Sequence, residues 1–347
     1  MKKVFSPDIS NGNSFDFLRV FFAFSVFFAH FKELTGTAGS FIYWPISASM
    51  GVAGFFIISG FLITRSYYRS PNLLNYITKR VRRIVPAYFF VVVICAFSLS
   101  LVSSLSFQEY FTSKVFFKYL TANLAFLNFI QPTLPGVFSS NPFPFVNGSL
   151  WTIKIELALY AFVPLMIIFL KRKPVFVFIC LYISSSLIRY GLGQLDNSSY
   201  SASIILLSRP LFGQVCFFVS GAILLFYFDF FKKKIKWVLP LSIIVFTSKY
   251  FLSYWVIEFF YPLSFAILII SFAYCFKELA FISKYGDFSY GVYLYHYPII
   301  QLFTHRECLR ENPVLLFCIC LGILVLLSWL SWHLLEKQFL KRGNMLI

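Results

Sequence analysis

The chain has 347 residues, 59% of them hydrophobic and only 12% charged, and its mean hydropathy is +0.78. Soluble domains carry about a quarter of charged residues, so a water-solvated globule is excluded. The formal net charge of +17 does not point to nucleic acid. The basic residues stand in short clusters between apolar runs, as positive-inside loops do, and not as a stripe on a soluble face.

Apolar runs of about 20 residues, the length of a bilayer-crossing helix, recur near 15–33, 46–66, 84–106, 151–170, 174–190, 204–228, 237–254, 256–276, 287–304 and 314–336. They predict an all-α, polytopic membrane bundle of about ten transmembrane helices. It is expected to form one membrane domain over residues 1–347, with no appended soluble domain. With the N-terminus inside, the inner segments carry Lys2 and Lys3, the group from Arg65 to Arg83, Lys171–Lys173, Lys232–Lys236, Lys277 and Lys284, and Lys337, Lys341 and Arg342. The outer loops keep few cations, among them Lys114, Lys118, Arg306 and Arg310. Both termini are therefore expected on the cytoplasmic side. Met1-Lys2-Lys3 looks like the start of a signal peptide, but no small-residue cleavage site follows, so the first run is read as a span.

Ionisable groups inside a span are costly unless paired or wetted, which makes each a functional candidate. The first run holds three. Asp16 and Arg19 are i, i+3 and can pair. Arg19 and His30 are eleven apart, which at ~100° per residue returns to within about 20° of one face. The stripe must face the interior of the bundle or a cavity. Next comes Gly51-Val-Ala-Gly54-Phe-Phe-Ile-Ile-Ser59-Gly60-Phe-Leu-Ile-Thr64, whose small residues permit close helix approach. Lys79-Arg80-Val-Arg82-Arg83-Ile-Val-Pro86 opens the third run; Arg80 and Arg83 share a face and suit a phosphate clamp, with Pro86 expected in a first helical turn. The long outer segment 107–150 has a moderately apolar stretch, Phe116–Ile130, expected as an interfacial or re-entrant helix followed by a loop.

Asn147-Gly-Ser149-Leu-Trp151-Thr-Ile-Lys154-Ile-Glu156 enters the fourth run from outside. It places Glu156 roughly 9 Å deep at 1.5 Å per residue, in the same outer half as His30. A buried Glu beside a His can hold its tautomer and raise its basicity; the plainer reading is that Glu156 staples helices by pairing with Arg189, Arg209 or Lys154. Ser289-Tyr290-Gly-Val-Tyr293-Leu-Tyr295-His296-Tyr297-Pro298 puts His296 mid-span, with Pro298 loosening the preceding turn. His305 and His333 fall at span edges. Of seven cysteines, all but Cys308 lie inside apolar runs, with neither a disulfide framework nor metal spacing.

Taken in order, the Asp16-Phe-Leu-Arg19…His30 span, the Gly51–Thr64 segment, Arg80-x-x-Arg83-Ile-Val-Pro86, Ser149-Leu-Trp151-Thr-Ile-Lys-Ile-Glu156 and Tyr293-Leu-Tyr-His296 resemble the acyltransferase-3 family of membrane proteins. The resemblance runs from about residue 14 to 340. It implies transfer of an acyl group, usually acetyl from acetyl-CoA and without a metal, to a hydroxyl of a bacterial surface saccharide such as O-antigen, capsule or exopolysaccharide. It also implies a multi-pass protein of the bacterial inner membrane. His30 inherits the catalytic position, as general base or as acyl carrier. Glu156, the second catalytic candidate, matches the acid of the Ser-Leu-Trp motif, and Arg80 and Arg83 the arginine pair for the donor, with Arg19 in support. Asp16, Ser149, Trp151, Tyr293 and His296 are candidates for the substrate pocket.

Two positions depart from the family pattern: Leu157 stands where a second Glu often follows, and Lys154 adds a charge. Some members carry an extracytoplasmic hydrolase-like domain that finishes the transfer. Without one, acyl passes directly to a saccharide acceptor, lipid-linked or free, or by way of a partner protein. The competing reading is an exporter of polysaccharide or lipid-linked sugar without acyl transfer, which more often shows repeated halves. A lipid-phosphate glycosyltransferase would need an acidic pair in an early outer loop, where 107–150 offers only Glu109.

Overall fold

The computed structural model describes residues 13–36, 44–195, 202–248, 251, 253–304 and 312–344. Lys2, Lys3, His305, Arg306, Cys308 and Arg310 lie outside the described residues, as do the side chains of Arg209, Lys341 and Arg342. Among the described residues the chain is helical, with no strand.

In chain order the helices are α1 (Phe15–Thr35), α2 (Ala48–Arg69), α3 (Leu73–Ser98, continued by a 3₁₀ turn Leu99–Val102), α4 (Phe107–Thr112), α5 (Lys114–Leu124), α6 (Trp151–Leu170) and α7 (Pro174–Leu195). There follow α8 (Ala202–Phe226), α9 (Phe228–Thr247), α10 (Tyr254–Cys275), a 3₁₀ segment Lys277–Tyr285, α11 (Ser289–Thr304), α12 (Pro313–Leu330), a π-helical turn Ser331–Glu336 and α13 (Lys337–Asn344). Among the described residues six helical stretches are long and apolar enough to cross a membrane: Ala48–Arg69, Leu73–Val102, Trp151–Leu170, Pro174–Gly191, Trp255–Cys275 and Pro313–Leu340. The pair Gly213–Phe226 and Phe228–Thr247 bends by 105° at the intervening Tyr227, as one broken span or a re-entrant turn. The outward faces are apolar as well: on α7, Phe176, Ile179, Ile183 and Leu187 are exposed at helical spacing, as suits a helix that meets hydrocarbon rather than water.

Three boundaries differ from those the sequence predicts. α3 begins at Leu73, so the Lys79–Arg83 cluster lies within a helix and Pro86 sits in its interior. Lys and Arg are good helix formers, and an interior Pro removes one ladder bond without ending a helix that packing holds. α9 likewise takes in Lys232–Lys236, with Phe228 and Phe231 buried while Lys232, Lys233 and Lys234 are exposed. In the outer segment, α5 ends at Leu124, short of the expected Ile130. The Asn123 side-chain amide donates to the carbonyls of Tyr119 and Gln131, and Phe126 takes a positive φ of 60°. That turns the chain back.

The described chain packs as two compact units. The first takes residues up to Arg19, Val52–Tyr76 and Ile155–Tyr285. In it α10 packs on α7, α8 and α9, and α7 on α8. α2 and α8 meet backbone to backbone: a Cβ on Gly60 would strike the Phe218 carbonyl, and one on Gly221 the Ile57 carbonyl. Such reciprocal small-residue contacts let two apolar helices approach without a solvent-driven hydrophobic force. Gly60 belongs to the small-residue segment that the sequence marks for close approach.

The second unit takes Val20–Gly51, Ile77–Lys154 and the chain from Gly286 onward. Its centre is α11, buried along nearly its whole length and packed on α12. Phe27, Phe28 and Phe31 of α1 surround Phe317 of α12 at centroid distances of 5.8, 5.7 and 5.3 Å.

Candidate active site

In the second unit, His30 of α1 and His296 of α11 are hydrogen-bonded, with Nδ1 of His30 2.9 Å from Nε2 of His296. The two rings are parallel to within 5°, with centroids 5.1 Å apart. Stacked rings keep their atoms at van der Waals separation, about 3.5 Å, so a 2.9 Å nitrogen pair between parallel planes means that the rings meet edge to edge. His296 is fully buried, while His30 is partly exposed. His296 Nδ1 lies 3.1 Å from the Val292 carbonyl one turn earlier. The ring of Tyr297 stands edge-on to His30 at 5.4 Å.

The Asn147–Thr152 segment is fastened beside this pair. Pro298 has no N–H to give the Leu294 carbonyl, and that carbonyl instead accepts from the Asn147 side-chain amide at 2.9 Å. Asn147 Oδ1 accepts from the Ser149 hydroxyl at 2.7 Å and from the Ser149 N–H at 3.2 Å. The Tyr293 hydroxyl donates to the Ser149 carbonyl at 3.1 Å and shares a 2.7 Å bond with Thr152. Between them Gly148 lies against Tyr297: a Cβ there would stand 2.6 Å from the ring. Of the predicted pocket residues, Ser149, Tyr293 and His296 are therefore brought together, and Trp151 is the half-buried first residue of α6. A further tie joins the outer segment to α11, where Asn141 donates to Gln301 and Gln301 to the carbonyls of Phe143 and Phe145.

The arginine pair of α3 has two characters. Arg83 is gripped by two carboxylates, with Nη2 2.6 Å from Asp287 and Nη1 3.0 Å from Glu336. Its guanidinium also lies 5.6 Å from the rings of both Tyr290 and Trp332. Glu336 is bonded in turn to Ser331, and Ser331 to Tyr295, so the π-helical turn closes a polar chain back onto α11. Arg80, three residues before Arg83, is half-buried on the same helix. Lys154, the unusual charge of its motif, rests its ammonium 4.1 Å from the Phe129 ring centre, a cation–π contact.

In the first unit, Asp16 and Arg19 pair at 3.3 Å, as their spacing allows. Glu156 accepts from the Tyr160 hydroxyl one turn along α6, and the Tyr160 carbonyl accepts from Tyr76 at 2.9 Å. Arg189 forms an ion pair with Glu258 of α10 and stands 4.8 Å from the ring of Phe217. The sequence reading singled out none of Glu258, Asp287 and Glu336. A lone acid in an apolar run is itself a sufficient signal, and Glu258 fits that description. His333 bonds the Trp329 carbonyl of its own turn at 2.9 Å. Among the described residues no group of three or more His, Cys, Asp and Glu could hold a metal ion.

Comparison with known proteins adds what geometry alone does not. Residues 13–333 match the family described as "Acyltransferase domain", acyltransferase-3. An "O-acetyl transferase" of Shigella phage Sf6 is 28% identical over 344 residues, covering 96% of this chain and 97% of that protein. "Nodulation protein 10" of Rhizobium leguminosarum bv. viciae is 31% identical over 174 residues, 46% of this chain and 45% of its own. "O-acetyltransferase OatA" of Staphylococcus aureus (strain NCTC 8325 / PS 47) is 28% identical over 387 residues, covering 99% of this chain but 59% of that protein. No solved structure matches.

Proposed function

The chain belongs to the acyltransferase-3 family of membrane proteins, and from that premise we propose that it moves an acetyl group from acetyl-CoA to a hydroxyl of a cell-surface saccharide. The observation that carries this reading is the hydrogen-bonded pair of His30 and His296, in a chain matched to the family over almost its full length. An imidazole in a bundle of low polarity can take a proton from a hydroxyl as that oxygen attacks the thioester, a contribution of about 10²–10⁴ in rate. The phage relative, matched over 96% of this chain and 97% of its own length, supports O-acetylation as the reaction; O-antigen, capsule or exopolysaccharide is the acceptor class we propose.

The donor is read as entering from the cytoplasm. Its phosphates meet Arg80 at the basic stretch of α3, with Arg83 held in place by its carboxylates and Arg19 in support. Glu156 stays the second catalytic candidate. The orientation rests on basic clusters at the inner ends of the apolar runs. Support for ten spans comes from ten long helices, among the described residues, that follow the ten runs in order. The membrane is then the bacterial inner membrane, and acyl passes directly to the saccharide or through a partner protein.

Nuclear magnetic resonance of surface glycan from cells with and without the gene tests the reaction. An O-acetyl signal that disappears with the gene and returns with the intact chain, but not with His30→Ala, is the expected result. Unchanged O-acetylation, with a change only in the amount of glycan exported, would replace the acyltransferase by the exporter. Labelled acetate retained on Glu156→Gln protein and absent from His30→Ala would make His30 an acyl carrier rather than a base.

A further inference from the structure

Two hydrogen bonds in series determine where the protons of the histidine pair sit. The Val292 carbonyl can only accept, so the 3.1 Å contact to His296 Nδ1 requires a proton on that nitrogen. With one proton per ring, His296 Nε2 then carries a lone pair. The 2.9 Å contact to His30 Nδ1 is therefore a bond donated by His30, and the parallel, edge-to-edge rings put that lone pair in the plane in which the donor hydrogen lies. The proton of His30 is thus held on Nδ1, and its Nε2 is left bare.

We propose that His296 is the positioning residue of the site: it fixes His30 in the tautomer whose Nε2 is the proton-accepting nitrogen. The placement suits the division of labour. His296 is fully buried behind, on a helix pinned by Asn147, and His30 is the ring with exposed surface. The inference rests on His30 acting as proposed above. In the step so served, the acceptor O–H proton passes to His30 Nε2 and the oxygen forms a bond to the thioester carbonyl carbon. The carbon–sulfur bond then breaks, and the same proton leaves Nε2 for the departing thiolate. His30 Nδ1 and its bond to His296 are unchanged throughout, and the passing positive charge is shared along the bond. No carboxylate is required to set the tautomer, because a backbone carbonyl does so through a second imidazole.

The chain has four histidines, few enough for ring-nitrogen resonances of the full-length protein in lipid nanodiscs to be assigned by single replacement. The expected result is a protonated Nδ1 and a bare Nε2 on His30, with a through-bond coupling from His30 Nδ1–H to His296 Nε2. His296→Gln keeps an acceptor oxygen at the Nε2 position and should retain kcat to within about ten-fold. His296→Phe removes it and should lose kcat by about 10²-fold or more, with KM for acetyl-CoA changed by less than about two-fold and His30 spread over both tautomers. A wild-type His30 protonated at Nε2 would overturn the inference, as would a doubly protonated His296 or a His296→Phe protein with wild-type kcat. Those results leave the acyltransferase reading standing, whereas acetyl transfer that survives His30→Ala removes the reading and the inference together.

Discussion

Each unit buries a polar pair between helices, and the Arg189–Glu258 pair and the His30–His296 pair are built on opposite principles. In the first unit Arg189 and Glu258 are opposite charges that satisfy one another, with Phe217 under the guanidinium. Such a pair is self-sufficient: it staples α7 to α10 and has no valence to spare. In the second unit two imidazoles meet at a 2.9 Å nitrogen–nitrogen contact, and the His30 ring keeps exposed surface. The ion pair therefore reads as structure and the imidazole pair as chemistry, although the sequence displays both as polar residues in apolar runs.

That contrast can be broken, most severely by exchanging the expected phenotypes. His30→Ala should abolish acetyl transfer, by about 10²–10⁴-fold, while leaving the unfolding midpoint in detergent close to wild type; a large drop in the midpoint would make the pair structural. Glu258→Ala should do the reverse. It strips a mostly buried Arg189 of its partner and should destabilise the protein by about 3 kcal/mol, read by thermal unfolding. The double replacement Arg189→Met with Glu258→Leu should recover most of that loss. A Glu258→Ala protein that unfolds normally but no longer turns over would move the catalytic assignment into the first unit.

Smaller effects sharpen the comparison. Gly221→Ala forces its Cβ into the Ile57 carbonyl and should cost about 1–3 kcal/mol by overpacking, with no change in KM for the donor; a wild-type midpoint would deny the close approach of α2 and α8. The smallest effect lies outside the apolar helices. Ser106 caps α4 and holds the Glu109 carboxyl below the usual carboxylate range, first through its hydroxyl and then through its backbone N–H. A depressed folded pKa means stability that is present above the ordinary carboxylate range and is lost as pH falls through the lowered value. The protection of the α4 amides against hydrogen exchange, taken relative to the intrinsic rate at each pH, should fall on acidification in the wild type, and Ser106→Ala should flatten that response.

What the sequence revealed follows from which interactions are local. Apolar length and the basic clusters made every long helix visible, because both are properties of a contiguous stretch. Asp16 with Arg19 was visible for the same reason, being one turn apart. His30 and His296 were each visible as costly side chains, but their bond joins residues 266 apart, and no periodicity reports such a pairing. The sequence offers Glu156 as a partner that orients His30; the imidazole of His296, 2.9 Å from His30 Nδ1, is a partner that no local pattern announces. The double grip on Arg83 is hidden because Asp287 and Glu336 stand at the ends of their apolar runs, where an acid attracts no notice. Helix boundaries in the basic stretches are not legible in the sequence, because charge suits a loop while Lys and Arg also continue a helix readily.

The missing N–H of Pro298 has a consequence for how the protein is made. The carbonyl it frees is claimed by Asn147, 147 residues earlier, and Gln301 one turn later engages Asn141 across 160 residues. Neither anchor exists until the chain has been synthesised as far as α11. The outer segment therefore waits through the insertion of α6 to α10 before it can dock, and His30 waits equally long for its partner. Closure of such long loops is slow compared with forming a helix, so the histidine pair is among the last parts of the second unit to come together. A nascent chain stalled before α11 would carry a complete set of early helices and no competence to react.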